Sequence, residues 1–223
     1  MNRIYLIGDS TCQINTKETY PQTGWGQVFC NYINNDYEVI NLAKNGRSSK
    51  SFYDEGLFKE VEENIQKGDL LFIQFGHNDE KEDEARHTDP FTTYQQQLKY
   101  YIAVAKKNQA TPVLLSSIYR RHFDKYGKVK DNCHLNYPDA MKDLANKEKV
   151  IYIDMCEITK QELIKIGDEA SKEYFMNFKP NIYENYKEGK EDNTHLRPKG
   201  AKLICDLLVE EIKKNNLINK ILK

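Results

Sequence analysis

Short apolar runs alternate with helix-periodic stretches along most of the chain. Ile4–Ile7, Glu38–Leu42, Leu70–Phe75, Val113–Ile118 and Val150–Ile153 are each brief, rich in β-branched residues or Leu, and bounded by turn chemistry. They predict five buried strands. Helical patterns cover Trp25–Ile33, Leu57–Ile65, Tyr94–Lys107, Pro138–Asn146, Ile158–Glu173 and Pro198–Asn215. Leu98, Tyr101, Ile102 and Ala105 share one face of the third, and Leu203, Leu207, Leu208 and Ile212 form a stripe on the last. Strand–helix alternation of this kind implies an α/β fold: a mostly parallel sheet covered by helices on both faces. In such sheets ligands sit beyond the carboxyl ends of the strands, where strand order reverses. The loops after the first and third strands are therefore the first places to look for function. Glu80–Asp89 reads as a charged, solvated loop and Tyr119–Tyr137 as a long polar one. The chain after Glu173 is aromatic and irregular until just before the last helix. No internal repeat or linker stands out, so residues 1–223 read as one domain.

Composition narrows the class. Hydrophobic residues make up 39% and charged residues 30%, which suits a globular protein rather than a disordered one. With 33 Lys+Arg against 34 Asp+Glu there is no basic footprint for nucleic acid, and the balance fixes no oligomeric state. No segment approaches the roughly 20 apolar residues of a membrane span. Met1-Asn2-Arg3 runs into an apolar stretch too short for a signal-peptide core. Cys12, Cys30, Cys133, Cys156 and Cys205 are scattered, odd in number and without a CxxC, which predicts a reduced, cytoplasmic protein. Fifteen tyrosines suit sugar binding and ordinary packing equally.

Four polar segments could carry chemistry. Gly8-Asp9-Ser10-Thr11 follows the first strand, where a serine opens onto the sheet edge; the same residues also make ordinary turns. Asn45-Gly46-Arg47-Ser48-Ser49 follows the second, and its glycine could present a backbone N–H to a ligand or simply turn the chain. Gly76-His77-Asn78-Asp79 follows the third, and an Asn amide is a fixed donor for a developing oxyanion. His77 and Asp79 are residue types that bind metals, but the spacing lacks the glycine of a calcium loop and no second His lies at ligand spacing. Asp192-Asn193-Thr194-His195 precedes the last helix. A short turn there could bring the carboxylate to one ring nitrogen and leave the other for a serine hydroxyl, or merely cap the helix. Taken together, the four supply a nucleophile, a backbone donor, a side-chain donor, a base and an orienting acid, the parts needed for acyl transfer.

The four segments resemble the blocks of the SGNH (GDSL-type) hydrolases, across residues 8 to 195. The resemblance implies Ser10 as nucleophile, His195 as general base and acid, and Asp192 as its partner. It implies an oxyanion hole from the Ser10 N–H, the Gly46 N–H and the Asn78 side chain. It also implies a three-layer α/β/α sandwich with a flavodoxin-like, parallel five-stranded sheet in the order 2-1-3-4-5. The nucleophile elbow Gly-x-Ser-x-Gly of the larger α/β-hydrolase class is absent. Within the SGNH class the sequence is similar to the rhamnogalacturonan acetylesterase branch. The similarity rests on Phe75-Gly76-His77-Asn78-Asp79, Asp192-Asn193-Thr194-His195-Leu196, Tyr137-Pro138-Asp139-Ala140-Met141 and Arg120-Arg121. That branch implies removal of acetyl groups from pectin-derived sugars, with an acetylated oligosaccharide as the partner molecule and no metal or organic cofactor.

Other residues have two readings. His77, Arg47, Arg120 and Tyr183 are candidates for substrate contact, Arg47 and Arg120 as bidentate partners of a uronic carboxylate. Surface ion pairing is the plainer role for the two arginines, and loop packing for Tyr183 and Tyr186. Trp25 could stack a sugar but sits on an amphipathic helix, which favours the core. His87, His122 and His134 fall in polar loops and read as solvated. Cys12, two residues from Ser10, is a rival nucleophile but more often such a residue is a small buried hydrophobe. A lipid or thioester hydrolase on the same scaffold, and a sugar-binding module without catalysis, are the alternative functions. The polar loops argue against the first and the complete triad against the second.

Overall fold

The computed structural model describes all 223 residues. Five parallel strands form the central sheet: β1 (Asn2–Gly8), β2 (Tyr37–Asn41), β3 (Leu70–Gln74), β4 (Thr111–Leu115) and β5 (Ile151–Ile153). Their order is β2-β1-β3-β4-β5, the order expected from the SGNH resemblance. Alternate residues of β1 point to opposite faces, as strand geometry requires. Ile4 and Leu6 enter one core with Phe72, Val113 and Leu115; Tyr5 and Ile7 enter the other with Leu71, Ile73 and Leu114. This two-sided burial explains why the strands read as unbroken apolar runs rather than alternating ones.

Helices cover both faces. On one lie α1 (Trp25–Phe29), α6 (Met155–Ile166) and α8 (Pro198–Lys214), contributing Trp25, Leu163 and Leu208 to the first core. On the other lie α2 (Ser49–Asp54), α3 (Lys59–Asn64), α4 (Gln95–Lys107) and α5 (Tyr137–Glu148), contributing Phe52, Val61, Leu98 and Leu144. A short α7 (Asp168–Ser171) follows α6. Trp25 is 1% exposed and belongs to the core.

Three expectations change. The pattern at Leu57–Ile65 is only the second of two helices. α2 begins earlier because Ser48 and Ser51 exchange hydrogen bonds in a capping box that the apolar spacing did not reveal. The stretch Ile158–Glu173 is divided: α6 starts on an Asp154 cap and stops at Gly167, whose φ of +81° breaks the helix. The segment read as irregular holds a two-stranded antiparallel ribbon, β6 (Phe175–Phe178) and β7 (Lys190–Leu196). Asp192 and His195 lie within β7, not in a plain turn before α8. No helix is long and apolar enough to cross a membrane.

Candidate active site

The four polar segments converge at the carboxyl edge of the sheet, beside β1 and β3 where strand order reverses. Ser10 sits in the turn after β1 and is 7% exposed. A Cβ on Gly8 would fall 2.5 Å from Cys12 Sγ and 2.6 Å from the Gln74 carbonyl oxygen, so only glycine lets the chain turn this close to β3. Asp9 shapes the turn further. Its Oδ1 accepts from the Thr11 N–H at 2.9 Å and the Thr11 hydroxyl at 2.7 Å.

His195 Nε2 lies 3.0 Å from Ser10 Oγ, and His195 Nδ1 lies 2.8 Å from Asp192 Oδ2. The pairing of β6 with β7 explains the placement. Phe175 faces Leu196 but Met176 faces Asp192, so residues 193–195 bulge out of the ladder and His195 is re-aimed at Ser10. The bulge is held from inside: Asp192 Oδ1 accepts from the Thr194 and His195 amides at 2.9 and 3.0 Å. It is also held from outside. Arg121, 8% exposed, donates from its backbone to the Asn193 carbonyl at 2.8 Å and from its side chain to Asn193 Oδ1 at 3.0 Å. Burial pushes the Asp192 carboxyl up, but the His195 ring and the two amides prevail and hold it at about 2.

Three donors named from the sequence keep an unpaired N–H. The amides of Ser10 and Gly46 have no acceptor within the protein. Gly46 has a φ of +76° and a Cβ there would meet nothing within 4 Å, so backbone conformation rather than space demands glycine. Asn78 Nδ2 donates one proton to the Arg47 carbonyl at 3.1 Å and keeps the other free. Buried Asp79 ties the last two segments together. It accepts from the Ser49 amide at 3.1 Å, from the Ser49 hydroxyl, and from the Thr88 hydroxyl at 3.0 Å. Burial raises its carboxyl to about 6 against these donors.

The remaining candidates are placed as follows. Arg47 is paired with Glu55 through Nε and Nη2 and donates to the Asn45 carbonyl through Nη1. Arg120 is paired with Glu80 and donates to the His77 carbonyl at 3.3 Å. His77 is 3% exposed, and neither ring nitrogen has a partner or reaches the surface. Burial, then the neighbouring charge of His134, pushes its imidazole well below the usual range. Tyr183 packs edge to face against Phe178 at 4.7 Å and Tyr20 at 5.8 Å. The loop Glu80–Asp89 is exposed from Lys81 to Ala85, while Glu80 is half-buried, Thr88 is buried and Asp79 just before the loop is fully enclosed. His134 is also buried, not solvated; it sits between Glu80 Oε2 at 3.4 Å and the Ile118 carbonyl at 2.9 Å. Sequence reasoning missed this cluster because its members are far apart in the chain. Cys12 is fully buried and burial raises its thiol well above the usual range, which disfavours a thiolate there. All five cysteines are free.

A hydroxyl, an imidazole and a carboxylate in line, with the serine's own unpartnered N–H beside the hydroxyl, can carry acyl transfer. Set at the edge of a five-stranded α/β/α sandwich, this arrangement defines an esterase-type hydrolase. The chain belongs to the family described as GDSL-like lipase/acylhydrolase, whose sequence model matches residues 4–208, and it is a carboxylic ester hydrolase. It is 41% identical over 215 residues to the rhamnogalacturonan acetylesterase RhgT of Bacillus subtilis, covering 96% of this chain and 91% of that one. It is 38% identical to the probable rhamnogalacturonan acetylesterase YesY of the same organism, covering 97% of this chain and 94% of that protein. An X-ray structure of the Bacillus subtilis protein YxiM superposes with a TM-score of 0.80 at 26% identity, covering 96% of this chain and 57% of that one. Axe2, an acetylxylan esterase from Geobacillus stearothermophilus, shares the fold with a TM-score of 0.66 at 14% identity, covering 94% of this chain and 93% of that one.

Proposed function

We propose that residues 1–223 form one SGNH hydrolase domain that removes O-acetyl groups from pectin-derived oligosaccharides through an acetyl-serine intermediate. The observation that carries the chemistry is the line Ser10–His195–Asp192, with contacts of 3.0 and 2.8 Å. Ser10 Oγ attacks the acetyl carbonyl while His195 Nε2 takes its proton. Asp192 fixes the ring's tautomer and stabilises the imidazolium that forms. The carbonyl oxygen gains negative charge as it becomes tetrahedral. The Ser10 and Gly46 amides and the free proton of Asn78 Nδ2 stabilise it there. When the C–O bond to the sugar breaks, the imidazolium returns its proton to the leaving alkoxide. Water then attacks the acetyl-serine with His195 again as base, and acetate and the serine hydroxyl are released.

The choice of a pectic sugar rests on the names of the two Bacillus relatives. An acetyl rather than a long acyl group rests on the same names, both of which describe acetylesterases. The test is acetate release from acetylated pectic oligosaccharides, acetylated xylan and aryl esters of increasing acyl length. Acetyl esters of pectic sugars should be the best substrates. A rate that rises with acyl length sinks the acetylesterase reading in favour of a lipid or thioester hydrolase. Failure of a serine-directed phosphonate to label Ser10 in the folded protein favours a non-catalytic sugar-binding module.

A further inference from the structure

Two segments frame the site and are clasped to each other. Lys17–Tyr20 leads away from the Ser10 turn, and Ile182–Tyr186 leads toward β7, which carries Asp192 and His195. Asn185 Nδ2 donates to the Lys17 carbonyl at 2.8 Å and the Tyr20 carbonyl at 3.0 Å, and the Tyr186 hydroxyl donates to the Thr19 carbonyl at 3.3 Å. Between the segments runs an open groove of about 530 Å³ lined by Lys17, Glu18, Tyr20, Ile182, Tyr183 and Glu184. That volume lies within the range of ligand-binding clefts.

We propose that this groove is a subsite for a neutral pyranose ring of the carbohydrate chain that bears the acetyl group, an assignment that rests on the carbohydrate-esterase reading above. Tyr20 is 52% exposed and Ile182 60% exposed, and they share one groove with Tyr183 rather than being scattered. The rings are held before any ligand arrives. Tyr20 and Tyr183 meet edge to face at 5.8 Å, Tyr183 meets Phe178 at 4.7 Å, and Phe178 meets Tyr186 at 5.6 Å. The Arg197 guanidinium lies 5.9 Å from the Phe178 ring. Fixed rings lose little entropy on binding, so their contact area converts efficiently into affinity.

A pyranose offers a C–H face to such rings and a rim of hydroxyls to polar groups beside them. Glu18 and Glu184 accept from hydroxyls, and Lys17 donates. One cation against two carboxylates also disfavours a uronate, whose charge would add to theirs. The aromatic wall of the groove is tied to the end of β7: Arg197, two residues after His195, donates to the Tyr183 hydroxyl at 3.5 Å. Burial and then the nearby Asp192 carboxylate raise the Tyr186 phenol, and Phe178 is in the strand paired with β7. The sequence shows the tyrosines but not the groove, because its two walls are more than 160 residues apart in the chain.

The test compares kcat/KM for acetylated pectic oligosaccharides with kcat/KM for p-nitrophenyl acetate. In Tyr20→Ser/Ile182→Ser the ratio of the first to the second should fall about tenfold, mostly through KM, as loss of ring contacts predicts. Tyr20→Phe keeps the ring and should restore the ratio. If the double variant does not fold, Ile182→Ser alone should lower the ratio in the same direction. An unchanged ratio, or no rescue by Tyr20→Phe, overturns the subsite. Methyl glycosides of a neutral hexose should inhibit oligosaccharide turnover more strongly than the methyl glycoside of a uronic acid; the reverse order also overturns it. Wild-type protein that cleaves p-nitrophenyl acetate but no acetylated oligosaccharide removes the carbohydrate reading itself, and the subsite with it.

Discussion

The Trp25 indole nitrogen donates to Gln74 Oε1 at 2.8 Å, and this contact sets the protons of a buried chain behind Ser10. An indole N–H can only donate, so the Gln74 oxygen must face it and the Gln74 amide nitrogen must face the other way. That nitrogen donates to Thr11 Oγ1 at 2.7 Å, which directs the Thr11 hydroxyl proton to Asp9 Oδ1. All four residues are at most 1% exposed. The Thr11 amide is bound to the same Asp9 oxygen, while the Ser10 amide between them stays free.

Thr11→Val should therefore be costly although it conserves shape. It leaves a Gln74 N–H and an Asp9 oxygen short of a partner in the core, a loss of about 1–3 kcal/mol. Melting should fall by several degrees, and turnover of p-nitrophenyl acetate should fall with it because the Ser10 turn loosens. Thr11→Ser keeps the hydroxyl and should recover most of both. Thermal melts and kcat on the three proteins check this; equal behaviour of the valine and serine variants would show that the hydroxyl does not hold the turn.

Ser10→Ala and His195→Ala should each abolish most turnover while melting close to wild type. Asn78→Ala should lower kcat about 10²–10³-fold, the effect of losing one oxyanion donor. Its KM should move less than its kcat, since the donor acts on charge that appears only in the transition state. Near-normal activity in either triad variant, or an unchanged kcat in Asn78→Ala, would refute the corresponding role.

Much of this site was legible because three of its four blocks follow a strand whose apolar run is unmistakable. Ile4–Ile7 fixes where Ser10 must lie, and Leu70–Phe75 fixes Asn78. What was not legible is the support. The β7 sequence Lys190-Glu-Asp-Asn-Thr-His-Leu196 is polar up to its last residue, so no hydrophobic alternation marks it as a strand. Its shape comes from pairing with Phe175–Phe178 and from Arg121, partners that periodicity cannot identify. Capping exposed the same limit at Ser48, where side-chain hydrogen bonds start α2 without apolar spacing. His134 reads as a loop residue because hydropathy assigns charge to solvent, whereas Glu80 and the Ile118 carbonyl hold it inside.

Acid should weaken the fold partly through Asp192. Its native carboxyl is held at about 2, below the ordinary 3.8. The unfolded chain therefore binds the proton more readily, and the carboxylate's contribution is complete above about pH 4 and lost as pH falls toward 2. The difference amounts to about 2 kcal/mol. Urea unfolding of wild type and Asp192→Asn between about pH 5 and pH 2 tests this. Wild type should lose stability more steeply than the variant over that interval; parallel curves would mean that Asp192 is not held by its partners.

Alkali should act through His134, in the opposite sense. Burial lowers the imidazole, but Cys133 and Glu80 raise it more, and it titrates at about 9 instead of 6.5. Both ring nitrogens face acceptors, Glu80 and the Ile118 carbonyl, so the doubly protonated ring is the form the pocket fits. Arg120 shares Glu80 with it, and the His77 ring packs edge-on at 4.5 Å without competing for the proton, its own imidazole being pushed well below the usual range. A native value above the unfolded one stabilises fully below about pH 6.5, and that contribution is lost as pH rises through about 9. Wild type should therefore lose stability between those values, and His134→Gln, though less stable at neutral pH, should show a flatter dependence. Urea midpoints of the two proteins across that range decide the matter. Equal slopes would mean that His134 is neutral in the native state and that Glu80 is neutralised by Arg120 alone.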